Sequence, residues 1–247
     1  MLEILGLLVV LFFIAVLFYK QANESFEVLQ LEANRMEELP TLYSEHAPIV
    51  VRGFSVPPLG NEAELQKRPQ ILQMGVAPGL SLKALLSSSG SLKEYTWKNE
   101  TASFLAKETG LQTWMQLQLF PHITPSSYTR FLYSCKTSLW PHHRGLFPTS
   151  AFQTVLMATQ GEARVHLLLQ KSEPYLPQGW KGRQFLRLTT ADTPLLKQIQ
   201  CIEVKLRPGT LLLLPAHMIV DIASANDEAP AWVMVGEVHH WISRLAA

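Results

Sequence analysis

Cysteine, charge and clustered basic residues are all scarce in this sequence of 247 residues. Its only two cysteines, Cys135 and Cys201, exclude a disulfide framework and a four-cysteine zinc site. A single bridge between them stays open, although two buried free thiols are expected. Charged residues make up 17% of the chain and hydrophobic residues 47%. This balance excludes intrinsic disorder, which needs high charge and low hydrophobicity.

Several common functional signatures are also missing. Lys and Arg total 21 against 20 Asp and Glu, with no basic run, so the chain is not expected to bind nucleic acid. No G-x-S-x-G, G-x-x-x-x-G-K-[ST] or G-x-G-x-x-G pattern occurs. These absences argue against a serine hydrolase of the nucleophile-elbow type, a P-loop nucleotide site and a dinucleotide-binding turn.

A long apolar run extends from Ile4 to Tyr19, near the start of the chain. Within this run of 16 residues only Gly6 lies outside the apolar set. As a helix the run would extend about 24 Å, close to a hydrocarbon core of about 30 Å. Glu3 and Lys20 flank it and can lie at the two interfaces. The sequence therefore predicts a single transmembrane anchor over residues 1–20.

Other interpretations of the run remain open. A cleaved signal peptide would need a positive leading segment and an A-x-A-like site, whereas Glu3 is the only charge ahead of the run. A buried core helix would normally be amphipathic, and this run is apolar all round. The orientation also stays open, because Lys20 favours one side of the membrane and the sequons at Asn23 and Asn99 favour the other.

The remaining chain divides into an exit segment and one globular domain. Residues 21–47 are predicted to form a helix that leaves the membrane and ends at Pro40, followed by a linker. Residues 48–247 form the domain, which opens on a β-branched strand. Short helices are expected at residues 81–86 and 101–109.

The second half of the domain has the alternation of short strands. Such segments lie at residues 112–120, 153–157, 163–170, 184–189, 202–206, 210–214, 218–222 and 231–238. Short strands separated by Gly and Pro predict an antiparallel sandwich or barrel. The fold class is therefore mainly β, with helices on its N-terminal side.

Three segments in order resemble the cupin-like branch of the JmjC family. Residues 48–54 (PIVVRGF) are similar to the proline-led strand that opens such domains. Residues 154–168 resemble the family's strand–G-x-x-R–strand hairpin, and residues 204–216 (VKLRPGTLLLLPA) resemble its closing turn, strand and proline corner. The resemblance covers roughly residues 30–240 and implies a double-stranded β-helix, the cupin or jelly-roll fold.

The same resemblance implies an Fe(II)- and 2-oxoglutarate-dependent oxygenase with an H-x-D…H triad. The triad positions correspond here to Pro148, Ser150 and Val220, none of which can be the expected ligand. The position expected for the lysine that binds 2-oxoglutarate falls near Ala163, with Arg164 beside it. No catalytic, cofactor-binding or metal-binding residue is therefore assigned.

A rebuilt metal site is the alternative. His142 or His143 could join His217 and Asp221, which would restore an oxygenase with Fe(II) and 2-oxoglutarate. Neighbouring residues on a strand point to opposite faces, so at most one of each pair can face a cavity.

The leading functional expectation is a membrane-anchored, catalytically inactive cupin-like protein. It would serve as an accessory subunit of a large membrane complex, for example in the mitochondrial inner membrane, with a virion or endomembrane as the other settings. Its partners would be other membrane-protein subunits and the lipid bilayer. An oxygenase with a displaced metal site and a small-ligand-binding cupin module are the alternatives. The chemical character of the residues that face the barrel interior distinguishes these three functions.

Overall fold

Two β-sheets packed face to face form the body of the protein. The computed structural model describes residues 2–20, 27–87, 95–124, 130–226 and 230–241. The sequon at Asn23 lies outside these residues. Asn99 is exposed at the first position of a helix.

The helices are concentrated before the main strands. They are α1 (Leu2–Lys20), α2 (Leu39–Leu42), α3 (Glu62–Gln66), α4 (Pro69–Leu72), α5 (Leu82–Ser87), α6 (Asn99–Glu108), α7 (Leu111–Trp114) and α8 (Phe120–Ile123). A π-helical turn, Met115–Leu119, joins α7 to α8. Short 3-10 helices span Ala33–Glu38, Tyr43–Glu45, Arg130–Leu132, Gln170–Tyr175, Phe185–Arg187 and Pro194–Gln198.

The strands are shorter and more numerous. They are β1 (Leu29–Glu32), β2 (Ile49–Arg52), β3 (Gly75–Ala77), β4 (Leu80–Ser81), β5 (Tyr133–Pro141), β6 (Phe147–Pro148), β7 (Gln153–Gln160), β8 (Ala163–Leu169), β9 (Cys201–Leu206), β10 (Thr210–Pro215), β11 (Met218–Ser224) and β12 (Trp232–His240).

The strand order shows how the chain alternates between the two sheets. The larger sheet has the order β1-β2-β10-β7-β12-β5, and the smaller has the order β6-β11-β8-β9. All of these pairs are antiparallel except β1 with β2. Strands β5 to β12 contribute four members to each sheet, which is a jelly-roll arrangement. The fold is therefore mainly β and consistent with a cupin-like fold.

The segment that resembles a strand–G-x-x-R–strand hairpin does not form a hairpin. β7 pairs with β10 and β12, whereas β8 pairs with β9 and β11. The turn at Gly161 therefore carries the chain from one sheet to the other. Its φ of +71° favours glycine, and an added Cβ would lie 3.1 Å from the Cα of Ala231.

Three predicted elements were wrong. The helix predicted for the exit segment begins at residues 21–26, outside the described residues; further along, β1, which pairs with β2 and buries Leu31, and the 3-10 helix after it stand in its place. Residues 112–120 are helical, because Leu111, Met115 and Leu119 are fully buried at a spacing of four residues. Residues 184–189 contain a 3-10 helix instead of a strand. The strand at β2 and the helices at α5 and α6 are confirmed.

The hydrophobic core has two parts. The main cluster lies between the sheets and under the helices. A smaller cluster covers the outer face of the smaller sheet, where residues from the segment between β8 and β9 pack on Leu168 and Ile219. Both cysteines are free, as expected. Burial raises the pKa of each thiol to about 11.

The N-terminal helix stands apart from this core. α1 contains 19 residues, and most of its described apolar side chains are exposed. Ile4 is 65% exposed and Leu7 is 61% exposed. Its Phe12 ring stacks on Trp241 at 6.5 Å between centroids. No membrane-spanning helix is identified among the residues that the structure describes. The single-pass anchor therefore gains no support from the fold and stays a prediction.

Candidate functional site

The positions expected for metal ligands lie where β6 meets β11. Phe147 pairs with Val220, and Pro148 pairs with Ile219. Phe147 and Val220 both belong to the main core, whereas Pro148 is exposed and Ile219 belongs to the outer cluster. The inward-facing residue of β6 is thus Phe147. Pro148, where the resemblance places one ligand position, is exposed on the other face of this strand.

The second expected position, Ser150, is also exposed, whereas its neighbour Thr149 is buried. The Thr149 hydroxyl donates to the carbonyl of Pro215 at 2.9 Å and accepts from the Met218 amide at 2.9 Å. Phenylalanine and valine offer no lone pair to a metal, and the threonine oxygen is already used. The residues at these positions therefore do not fit an iron triad.

The four residues of the alternative metal site are not brought together. The described residues contain no group of three His, Cys, Asp or Glu side chains placed to hold a metal ion. His217 occupies the corner between β10 and β11, where its Nδ1 lies 3.1 Å from Oε1 of Gln170. Asp221 is fully buried on the outer face of the smaller sheet, and its Oδ2 lies 3.1 Å from Nδ1 of His166. Strand alternation explains the separation, because Val220 faces inward and its neighbour Asp221 therefore faces outward.

His142 and His143 follow β5 directly, with ring centroids 5.4 Å apart. His143 lines a cavity at the mouth of the barrel, and His142 is buried beside it. Burial, reinforced by the charges of His142 and Arg187, lowers the pKa of His143 to about 4. The imidazole of His143 is consequently neutral near pH 7.

This mouth cavity is the most distinctive feature of the barrel. Its volume is about 640 Å³, within the usual range of about 300 to 1,000 Å³ for small-molecule sites. Its walls come from the start of α6, the end of β5, β6 and the middle of β12. The principal side chains are Trp97, Lys98, Trp140, His143, Arg144 and Glu237. A smaller hollow of about 340 Å³ adjoins it and shares His143.

Arg144 is held rigidly at the wall of the mouth cavity. Its side chain is only 12% exposed. Its guanidinium carbon lies 4.8 Å from the ring centroid of Trp140 and 3.7 Å from that of Phe147. Such desolvated cation–π contacts contribute about 2 kcal/mol. Burial lowers the pKa of Arg144, a direction that the carboxylate of Glu237 opposes.

Glu237 reaches this cavity from β12. Its neighbour Gly236 faces the helices, since an added Cβ there would lie 2.9 Å from the Met115 methyl carbon. Glu237 therefore faces the barrel interior, where Oε1 lies 3.4 Å from Nη2 of Arg144. Burial alone would raise the pKa of Glu237, but the imidazole of His239, whose Nε2 lies 3.7 Å from Oε2, and the charge of Arg144 lower it overall. The carboxylate is therefore ionised at neutral pH.

Three polar atoms on the lining residues of this cavity lack a partner. They are Nη1 of Arg144, Nδ1 of His143 and Nε1 of Trp97, each buried with no hydrogen bond to any described residue. An unsatisfied buried group costs about 1–3 kcal/mol, and such groups are rare in folded proteins. The volume of the cavity and the charged side chains on its walls make it the candidate functional site.

Sequence reasoning singled out the histidine pair but missed Arg144, Glu237 and Trp97. The feature of the sequence that could have identified Arg144 is its position between two aromatic residues, Trp140 and Phe147. The contact with Glu237 joins residues 93 positions apart, and nothing in the sequence connects them.

Comparison with known proteins adds little to this description. No family model and no curated protein matches the chain. Among solved structures, hydroquinone 1,2-dioxygenase from Sphingomonas sp. TTNP3 with 4-hydroxybenzoate bound is 19% identical, with a TM-score of 0.30. That match covers 45% of this chain and 62% of the dioxygenase.

A second similar structure is Drosophila melanogaster CENP-C bound to CAL1. It is 14% identical, with a TM-score of 0.25, and the match covers 41% of this chain and 62% of that one. The chain thus spans less than two thirds of either structure. Neither likeness is close enough to inform function, and the description of the fold rests on the strand order itself.

Proposed function

We propose that this protein is a membrane-attached, cupin-like accessory subunit whose barrel has lost the iron triad. One observation carries the proposal. Val220, where the resemblance places one metal ligand, pairs with Phe147 inside the barrel. Both are packed in the main core, so a metal ion there would displace buried apolar surface and meet no donor atom.

Attachment to a lipid bilayer is supported by the surface of α1. Eight large apolar side chains on this helix are exposed by between 43% and 65%: Ile4, Leu7, Leu8, Val9, Val10, Leu11, Phe13 and Ile14. An exposed apolar patch of this extent is typical of a surface that binds a membrane or another protein. A helix of 19 residues extends about 28 Å, which is similar to the thickness of a hydrocarbon core.

Flotation with phosphatidylcholine vesicles tests the attachment. The full chain is expected to float with the vesicles, and the double substitution of Leu8→Lys with Leu11→Lys is expected to abolish this. Leu186→Lys is the matched control, because Leu186 is 62% exposed on the body of the protein. Flotation that survives the double substitution would refute attachment through α1.

Purification from the native membrane in mild detergent tests the accessory role. The protein is expected to contain no stoichiometric iron and to migrate with fixed membrane-protein partners in one large complex. Stoichiometric iron without fixed partners would refute the proposal and favour the oxygenase alternative. Migration as a single chain without iron would refute the accessory role alone.

A further inference from the structure

Exposed cations surround the mouth cavity and the smaller hollow beside it. The two share three lining residues and so form one continuous depression, which we call the basic groove: Thr96, His143 and Gly182. Four exposed cationic side chains line this groove: Lys98, Lys181, Arg183 and Arg187. The two lysines belong to the mouth cavity, and the two arginines belong to the smaller hollow.

Acidic side chains offset only half of this charge. Glu100 is the exposed carboxylate of the mouth cavity, and Asp192 is that of the smaller hollow. Oδ1 of Asp192 already accepts from Nη1 of Arg183 at 3.1 Å. The ion pair of Arg144 with Glu237 adds no net charge. Four exposed cations against two exposed carboxylates thus leave the groove with an excess of positive charge.

Three of the cations are available to a ligand. Lys98, Lys181 and Arg187 form no ion pair with any residue that the structure describes, and all three are exposed. A ligand in the groove can therefore reach their charged groups. His143 adds no charge near pH 7, because burial and the charges of His142 and Arg187 lower its pKa to about 4.

The backbone between the two parts of the groove is fixed. The amide of Gly182 donates to the carbonyl of Leu146 at 2.8 Å, and the amide of Leu146 donates to the carbonyl of Arg183 at 2.7 Å. Gly145 packs against the same segment, where an added Cβ would collide with the carbonyl of Gly182. Lys181 and Arg183 are thereby held on either side of Gly182. A partner would meet cations whose backbone is already in position, which reduces the cost of binding.

The distribution of these charges favours an extended ligand. The cations are divided between two hollows, so a compact anion in one hollow leaves those of the other unused. A nucleic-acid backbone is an unbroken row of phosphates, and the carboxylates of Glu100 and Asp192 would repel part of it. A peptide can place its carboxylates beside the cations and uncharged residues beside Glu100 and Asp192.

We propose that the basic groove docks an extended acidic segment of a partner subunit. Carboxylates of this segment would contact Lys98 and Lys181 at the mouth cavity and Arg187 in the smaller hollow. Complementary charge gives such an interface its specificity and speeds the encounter. The inference rests on the accessory role proposed above, for which it names a docking surface and the chemistry of the partner.

Fluorescence anisotropy of the full chain in a non-ionic detergent tests the docking. The probe is a fluorescein-labelled peptide of about ten residues in which glutamate and glycine alternate; its extended length of about 33 Å is enough to reach both hollows. The matching peptide has glutamine in place of glutamate. The glutamate peptide is expected to bind saturably and to weaken as salt is added, because exposed charges are screened. The glutamine peptide is expected to bind at least about tenfold more weakly, since several ion pairs are lost together.

Two double variants locate the binding. K181E/R187E reverses one exposed cation in each hollow and is expected to weaken binding of the glutamate peptide by about tenfold or more. K171E/K197E makes the same change of charge on the same segment between β8 and β9, at exposed residues that line neither hollow. This control is expected to change the affinity by less than about twofold.

Three outcomes would overturn the proposal. They are the absence of saturable binding of the glutamate peptide, equal affinity for the glutamine peptide or for an oligothymidylate of similar length, and equal losses in the two double variants. Thermal melting shows whether each variant is folded. K98E, expected to weaken binding about threefold, keeps the test decisive if K181E/R187E is not folded.

The assay also separates this inference from the accessory role. It needs no native complex, so its failure refutes docking in the basic groove alone. The accessory role itself fails if the protein purified from its native membrane has no fixed partners.

Discussion

The ion pair between Arg144 and Glu237 is expected to couple the loop after β5 to β12 measurably. Oε1 of Glu237 lies 3.4 Å from Nη2 of Arg144, and the two side chains are 30% and 12% exposed. At an effective dielectric constant of about 20, this separation corresponds to an attraction of about 5 kcal/mol. Desolvation of both charges offsets more than half of that, and solvent at Glu237 screens part of the rest. A net coupling free energy of about 2 kcal/mol follows.

A double-mutant cycle on the full chain in detergent measures this coupling. R144Q and E237Q alone are each expected to lower the free energy of unfolding by about 2 kcal/mol or more, because each leaves one buried charge without its counterpart. The double variant is expected to recover most of the loss. For a chain of this size a loss of about 2 kcal/mol lowers Tm by roughly 4–8 °C.

The exposed pair of Arg183 with Asp192 provides the control cycle. Its nitrogen and oxygen lie 3.1 Å apart, with side chains 49% and 28% exposed. Solvent screening is expected to limit its coupling to about 0.5 kcal/mol. If both cycles gave the same small coupling, the reasoning that burial strengthens the pair at the cavity would be refuted.

Three further outcomes are expected. Phe147→Ala should lower the free energy of unfolding by about 3–4 kcal/mol in urea denaturation, because it opens a cavity in the core and removes a stacking surface; a loss under about 1 kcal/mol would contradict its packing role. The pKa of His143 is lowered to about 4 from 6.5, so its contribution to stability is present above pH 6.5 and lost as pH falls toward 4. Discounted for partial exposure, this loss is about 2 kcal/mol, and His143→Gln should remove that part of the decline in melts from pH 7 to pH 4. Cys135 and Cys201, with pKa values raised to about 11, should react slowly with Ellman's reagent in the folded protein and rapidly in urea.

The sequence predicted the strands of the barrel well where side chains alternate over a buried surface. The apolar run of β10 and the proline and glycine that precede it were sufficient to place a strand and a turn. The prediction failed at residues 112–120, where a short window shows alternation although Leu111, Met115 and Leu119 follow the spacing of a helix. A short segment can match both the two-residue repeat of a strand and the 3.6-residue repeat of a helix, and packing against the sheet decides which one forms.

The candidate site was predictable only in part. A change of one residue in register reverses which side chains face inward, and the inward-facing residue of β6 is Phe147, next to the predicted position Pro148. The histidine pair at His142 and His143 marked the correct loop. Glu237, which pairs with Arg144 of this loop, lies on β12, and Trp97, which lines the same cavity, precedes α6. A single sequence contains no signal that brings these segments together.

The pairing of β2 has a consequence for how the protein is made. Among the described strands β2 pairs with β1 and β10, and β10 begins at Thr210, far along the chain. At about 5–20 residues per second, ribosomes need on the order of ten seconds or more to reach β10 after β2 has emerged. Throughout that interval β2 can pair with β1 but not with β10, the strand that joins it to the rest of the larger sheet. We expect the nascent chain to depend on chaperones or on a membrane surface until its last strands are complete.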